Sequence, residues 1–153
     1  MSETRWLGAR EMAAWQAFLI ASHLLERRIE EQLKSAAGLT HPQYEILALL
    51  SAAPERRMRM TELARGVVVS KSGLTYQIAQ LEKRGLVKRT DCPGDERGVL
   101  AVLTDEGSRQ LEQIAPGHVE VVRRYLIDLL TPEELETITA AMSRAQRAMR
   151  PSV

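Results

Sequence analysis

Apolar positions divide the chain into stretches of helical period separated by short breaks. From about Glu11 to Ala36 there is no Gly or Pro, and Trp15, Leu19, Leu25, Ile29 and Leu33 recur mostly at helical spacing, which predicts one long helix. Gly38 ends it. Thr40 then stands as a cap with Gln43 at the reciprocal position of a capping box, so a second helix runs through "YEILALL" and stops between Ser51 and Pro54. "RRMRM" reads as a short extended segment, and "TELARG" (61–66) as a short helix broken by Gly66 and the β-branched run Val67 to Val69. Ser70 caps a further helix to Arg84, where Gly85 supplies a left-handed stop.

After that helix the period changes. "LVKRT" (86–90) and "VLAVL" (99–103) are β-rich runs joined through a Pro-Gly turn, which predicts a hairpin. Thr104 caps another helix with Asp105 and Glu106 in its first turn, and Pro116 and Gly117 are positioned to kink it. "TPEE" (131–134) opens the last helix, with Thr131 as cap, Pro132 at the first position and Glu134 closing the box. The predicted order is α-α-β-α-α-β-β-α-α. It implies a mainly α (α+β) fold: a winged helix-turn-helix lobe at 39–103 with a small β-hairpin wing, and flanking helices at 1–38 and 104–153.

On the helix after Ser70, counting 100° per residue places Ile78 and Leu81 within about 40° of Leu74 as a buried stripe. Ser72, Tyr76 and Lys83 fall opposite, Thr75 and Gln80 lie on the shoulders, Lys71 sits at the exposed N-terminal end, and Gln77 falls toward the core. Such a face suits a DNA major groove. Small hydroxyl residues let the helix end approach, its N–H groups point toward phosphate, and Tyr76 offers a ring to a thymine methyl and a hydroxyl to a base or phosphate. A polar face is also what any amphipathic surface helix has, so the hairpin decides. It carries Lys88, Arg89 and Arg97, and an arginine at or near the wing tip can enter a minor groove. Asp95, two residues earlier, can hold that guanidinium by a bidentate pair.

Charge sharpens this reading. The net charge of the 153 residues is only +1, but residues 56–100 hold 10 basic and 5 acidic side chains, whereas each flank is net −2. Screening limits the reach of charge to about 8 Å at physiological salt, so this local excess is what a phosphate backbone meets. At 44% hydrophobic and 4% aromatic the core is aliphatic. One cysteine rules out an intramolecular disulfide, the N-terminus has charges where a secretory signal is apolar, and no window approaches a membrane span; a soluble cytoplasmic protein is expected.

"RMTELARGVVVSKSGLTYQIAQLEKRGLVKR", followed by "CPGDERGVLAVLTDEG", resembles the DNA-binding lobe of the multiple-antibiotic-resistance regulator (MarR) family. The "DERG" wing with a following "LT-x-x-G" is the most specific part, and the flanking helices match the family's layout. The resemblance implies an obligate homodimer that binds double-stranded DNA at pseudo-palindromic operators (inverted repeats), usually as a repressor. It places Ser70, Lys71, Ser72, Thr75 and Tyr76 at the major groove, Gln80 where many members have an arginine near phosphate, Arg97 as the wing arginine and Asp95 as the acid that steadies it. Many members have another basic residue where this chain has Gly98.

The terminal helices support the dimer. Leu135, Ile138, Met142, Ala145 and Met149, and before them Leu111, Ile114, His118, Val121 and Tyr125, repeat at a 3-4-3-4 spacing that seeks a partner helix, in part within the chain itself. Members of the family often bind a small phenolic or anionic effector between the helical arms and the winged lobe. Trp15, His23, Arg27 and Tyr44 are candidates for its walls, with core packing or solvent the ordinary fate of each. No cofactor is expected. His23, His41 and His118 are scattered, and neither a Gly-rich phosphate loop nor a nucleophile motif stands out, which argues against an enzyme and against a metal sensor. Two alternatives stay open: a thiol-based redox sensor using Cys92 beside the basic turn, and a winged helix used for protein rather than DNA binding.

Overall fold

The computed structural model describes residues 2–150. Its elements are α1 (Ala9–Ala37), α2 (His41–Ala52), β1 (Arg57–Arg59), α3 (Met60–Val67), α4 (Lys71–Lys83), β2 (Val87–Cys92), β3 (Asp95–Leu103), α5 (Asp105–Tyr125) and α6 (Pro132–Met149), with single 3-10 turns at Pro54–Arg56 and Ile127–Leu129. The predicted order holds. The capping chemistry holds with it: the Thr40–Gln43 and Thr131–Glu134 boxes are both formed, and Ser70 and Thr104 each accept an N–H of their own first turn at 3.0 Å. Gly85 takes the left-handed conformation at φ +72°. Pro116 lies inside α5, which runs continuously from Asp105 to Tyr125.

The strands form one antiparallel sheet in the order β1-β3-β2. Leu39, Ile46, Leu47, Leu50, Leu63, Leu74, Ile78, Leu81, Leu86 and Leu103 are buried in a single aliphatic core. That core does not stop at residues 38 and 104. Ile29 and Leu33 from the C-terminal half of α1, and Leu111 and Ile114 from the first half of α5, belong to it. Further out, the half-buried Leu25 of α1 and Val121 and Val122 of α5 still pack against it. The N-terminal half of α1 exposes Met12, Trp15, Phe18, Ile20 and Leu24, and α6 has no buried residue at all.

The junction of α1, α2 and α5 is more polar. The His41 backbone N–H donates to Glu30 at 2.8 Å, and its Nδ1 lies 2.8 Å from the Glu26 carboxylate. His118 of α5 stacks on Tyr44 with ring centroids 4.2 Å apart. Burial, and then the neighbouring His41, push the His118 imidazole below its ordinary pKa.

The seam between the sheet and α5 passes through Gly107. A Cβ at this position would lie 2.1 Å from the Leu86 carbonyl oxygen and 2.6 Å from a Leu103 methyl. Backbone cannot yield as a flexible side chain can, so Gly107→Ala is expected to destabilise the fold by roughly 1–3 kcal/mol. Urea unfolding of the two proteins checks this; equal midpoints and slopes would show that α5 can move aside freely.

Candidate nucleic-acid interface

Three aliphatic side chains orient α4. Leu74, Ile78 and Leu81 are each about 1% exposed or less, and their burial turns the opposite face to solvent. Lys71, Ser72, Thr75 and Tyr76 are exposed there, and Gln80 is half-buried on the shoulder. Tyr76 is 62% exposed, so much of its ring faces solvent. Two hydroxyls already have local tasks. Ser70 Oγ accepts the Gly73 N–H at 3.0 Å as helix cap, and Thr75 Oγ1 donates to the Lys71 carbonyl at 2.9 Å. Thr75 therefore presents a methyl and an acceptor, while Ser72, 3.3 Å from the Ser70 hydroxyl, can rotate to meet an incoming group.

The wing is a hairpin with a wide irregularity. Asp91 pairs with Val99, but the next residue, Cys92, pairs with Asp95, so Glu96, Arg97 and Gly98 have no partners across the ladder. A bulge of this kind bends a strand and leaves backbone groups unpaired. Asp95 resolves one of them: its Oδ1 accepts the Arg97 N–H at 3.0 Å. Its Oδ2 takes the Arg59 guanidinium at 3.2 Å. This corrects the expected bidentate Asp95–Arg97 pair. The acid steadies Arg97 through the main chain, and its charge is engaged by an arginine from β1, leaving the exposed Arg97 side chain free to reach outward.

Arg59 is the residue that sequence reading missed. It stands in β1 beside the central strand, opposite Leu100, and reaches Asp95 across 36 positions of sequence. Only the basic run "RRMRM" hinted at it. Together with Lys71, Thr75, Arg89 and Arg97 it lines a cleft of about 350 Å³ between α4 and the wing. Arg89 also contacts Glu82 of α4 at 2.6 Å, so the first strand of the wing, β2, is tied to the helix it flanks. Position 98, where the family resemblance implied a second basic contact, has little room for a side chain. A Cβ there would sit 2.7 Å from the Cys92 Cβ and 2.9 Å from Asp95 Oδ2.

The other candidates disperse. Cys92 is 9% exposed, and its burial beneath the bulge works against a thiol that oxidants must reach. Trp15, His23 and Arg27 project from α1 into solvent, whereas Tyr44 is buried against His118. Among the described residues no three His, Cys, Asp or Glu side chains gather as a metal site, and no helix is long and apolar enough to cross a membrane.

A helix-turn-helix followed by a hairpin wing, with the free helix face and the wing sharing one basic cleft, defines a winged helix-turn-helix protein. Residues 39–99 match the sequence model of the MarR family. The chain is 43% identical to Sco3205, a MarR family transcriptional regulator from Streptomyces coelicolor whose crystal structure is in complex with DNA; the superposition covers 97% of this chain and 94% of that one with a TM-score of 0.94. AbsC, a MarR family transcriptional regulator from the same organism, gives 42% identity, 96% and 99% coverage and a TM-score of 0.92. The transcriptional repressor YetL of Bacillus subtilis is 36% identical over 90 residues, 59% of this chain and 54% of that protein. MdtR, a transcriptional repressor of the same bacterium, is 32% identical over 110 residues, 71% of this chain and 70% of its own. The chain belongs to the MarR family of transcriptional regulators.

The bulge gives a prediction whose sign separates structure from simple charge. Removing the acid in Asp95→Ala makes the cleft more positive, and by charge alone should tighten DNA binding. Freeing Arg59 and the Arg97 amide should instead cost about 1–3 kcal/mol of operator affinity. Titration of labelled duplex at one salt concentration decides between them: tighter binding by the variant would show that the bulge needs no such support.

Proposed function

We propose that this regulator is a homodimeric repressor that reads an inverted repeat in double-stranded DNA and is released by a small effector. The observation that carries the DNA-binding part is the shared cleft: the open face of α4 and the arginine-bearing bulge border one basic groove, as a major-groove helix and an adjacent wing require. Similarity to Sco3205, which has been crystallised with DNA, supports the same reading. Repressor names among the relatives, YetL and MdtR, support the direction of regulation.

In this reading α4 lies in the major groove. Its N-terminal N–H groups and Lys71 approach phosphate, Ser72, Thr75 and Tyr76 face base edges, and Ser70 holds the helix end in shape. Gln80 stands at the rim, nearer the backbone. Arg97 enters the neighbouring minor groove, and Arg59, Arg89 and Lys88 add to the field around the cleft. The exposed apolar face of α1 and the uncovered α6 support dimerisation through the chain's terminal helices, since apolar patches of that extent seldom stay open on a soluble monomer. The effector's place is the polar junction of α1, α2 and α5, where Nδ1 of His118 is buried without a hydrogen-bond partner.

Binding to random duplexes followed by selection and sequencing should recover an inverted repeat. On that operator, log affinity should fall linearly with log salt, the slope counting the phosphates neutralised. Tyr76→Ala is expected to lower discrimination against altered half-sites by about 1–3 kcal/mol, whereas Arg97→Ala should weaken binding to all sequences and reduce the salt slope by about 1. A flat salt response would point to a protein-binding module instead. Sedimentation should give twice the chain mass of 17.2 kDa; a stable monomer would remove the two-fold arrangement.

A further inference from the structure

The back of α4 carries two polar contacts that DNA reading does not use, and both end on the same short segment. Gln77 accepts a hydrogen bond at 2.9 Å from Nε2 of Gln43, a buried side chain at the start of α2 whose own Oε1 accepts the Thr40 N–H at 3.1 Å. Seven residues further along, Arg84 donates to the Ala37 carbonyl at 2.7 Å and the Gly38 carbonyl at 3.3 Å. Those carbonyls close α1, where the last oxygens lack helical partners and the helix dipole is negative; a guanidinium is the natural group to satisfy them. Middle and end of α4 are thereby tied to residues 37–43, the corner between α1 and α2.

Apolar packing alone would not do this. Leu74, Ile78 and Leu81 decide which face of α4 turns outward, but aliphatic contacts are non-directional and tolerate small slides and rotations. Two hydrogen-bonded contacts, separated by about two helical turns, remove that freedom and refer the helix to α1. The other end of α1 is the exposed apolar arm assigned above to the dimer.

We propose that Arg84 and Gln77 are positioning residues for operator recognition: through the α1–α2 corner they set the separation and rotation of the two α4 helices in the dimer, and so the half-site spacing that the protein accepts. The inference rests on the two-fold reading of the preceding section. Arg84 on this view neutralises no phosphate, although it lies at the end of the reading helix.

The test uses the full-length protein and duplexes carrying the selected repeat, with one or two base pairs added or removed between half-sites. Each added pair turns one half-site by about 34° and moves it about 3.4 Å. Wild type should lose roughly tenfold or more in affinity per pair, a cost comparable to one mismatch. Arg84→Met and Gln77→Ala should bind the matched duplex more weakly and lose only about threefold per pair, with the salt slope unchanged. Arg84→Lys, which keeps a donor for the carbonyls, should recover part of the spacing preference. Arg84 is exposed and Gln77 only half-buried, so both variants should fold; thermal unfolding and sedimentation of each confirm it, and Arg84→Lys keeps the question open to decision if Arg84→Met does not. A spacing profile in the variants as steep as in wild type would overturn the inference. So would a salt slope lower by about 1 in Arg84→Met, which would make Arg84 a phosphate contact. A wild-type protein indifferent to spacing would sink the two-fold reading itself, and this inference with it.

Discussion

Burial of Leu74, Ile78 and Leu81 is the interaction on which the rest of the structure depends. Each such side chain contributes about 1.5–3 kcal/mol when fully withdrawn from water, about twice the net worth of a typical hydrogen bond. No arrangement of the polar residues on α4 could compete with that. Their outward direction follows from it, and so does the availability of Ser72, Thr75 and Tyr76. The polar contacts at Gln77 and Arg84 act within the limits that this packing leaves, as fine adjustment of a helix already oriented.

The wing follows a different logic. It is small, largely exposed, and departs from regular pairing at the point where Arg97 must reach outward. A regular hairpin would direct the side chain by the alternation of the pleat; the bulge redirects it at the expense of unpaired backbone groups. Asp95 offsets part of that cost through the Arg97 amide and ties the strand to Arg59. Cys92 and the Asp95 carboxylate crowd the position of Gly98, which leaves little room there for a side chain.

Helices α1 and α5 run from the core toward the exposed ends of the molecule. The C-terminal half of α1 and the first half of α5 belong to the same core as α4, while the N-terminal half of α1 leaves Met12, Trp15, Phe18 and Ile20 exposed and α6 has no buried residue. The polar cluster of Glu26, Glu30, His41, Tyr44 and His118 lies where α1, α2 and α5 meet, and Nδ1 of His118 lacks a partner there.

Sequence alone determined the elements and the exposed face of α4, because both are local. Caps act over three residues, helical and strand periods over a handful, and a Pro-Gly turn within one hairpin. Thr40, Ser70, Thr104 and Thr131 could therefore be placed before any coordinates. Only tertiary structure decided that Asp95 meets Arg59, that Arg84 closes α1, and that Cys92 is buried. Arg59 and Asp95 lie 36 positions apart, and Arg84 and Gly38 lie 46 apart. Contacts over such separations depend on how several turns add up in space. Periodicity records which side of an element is apolar, but it carries no information about what stands across from it.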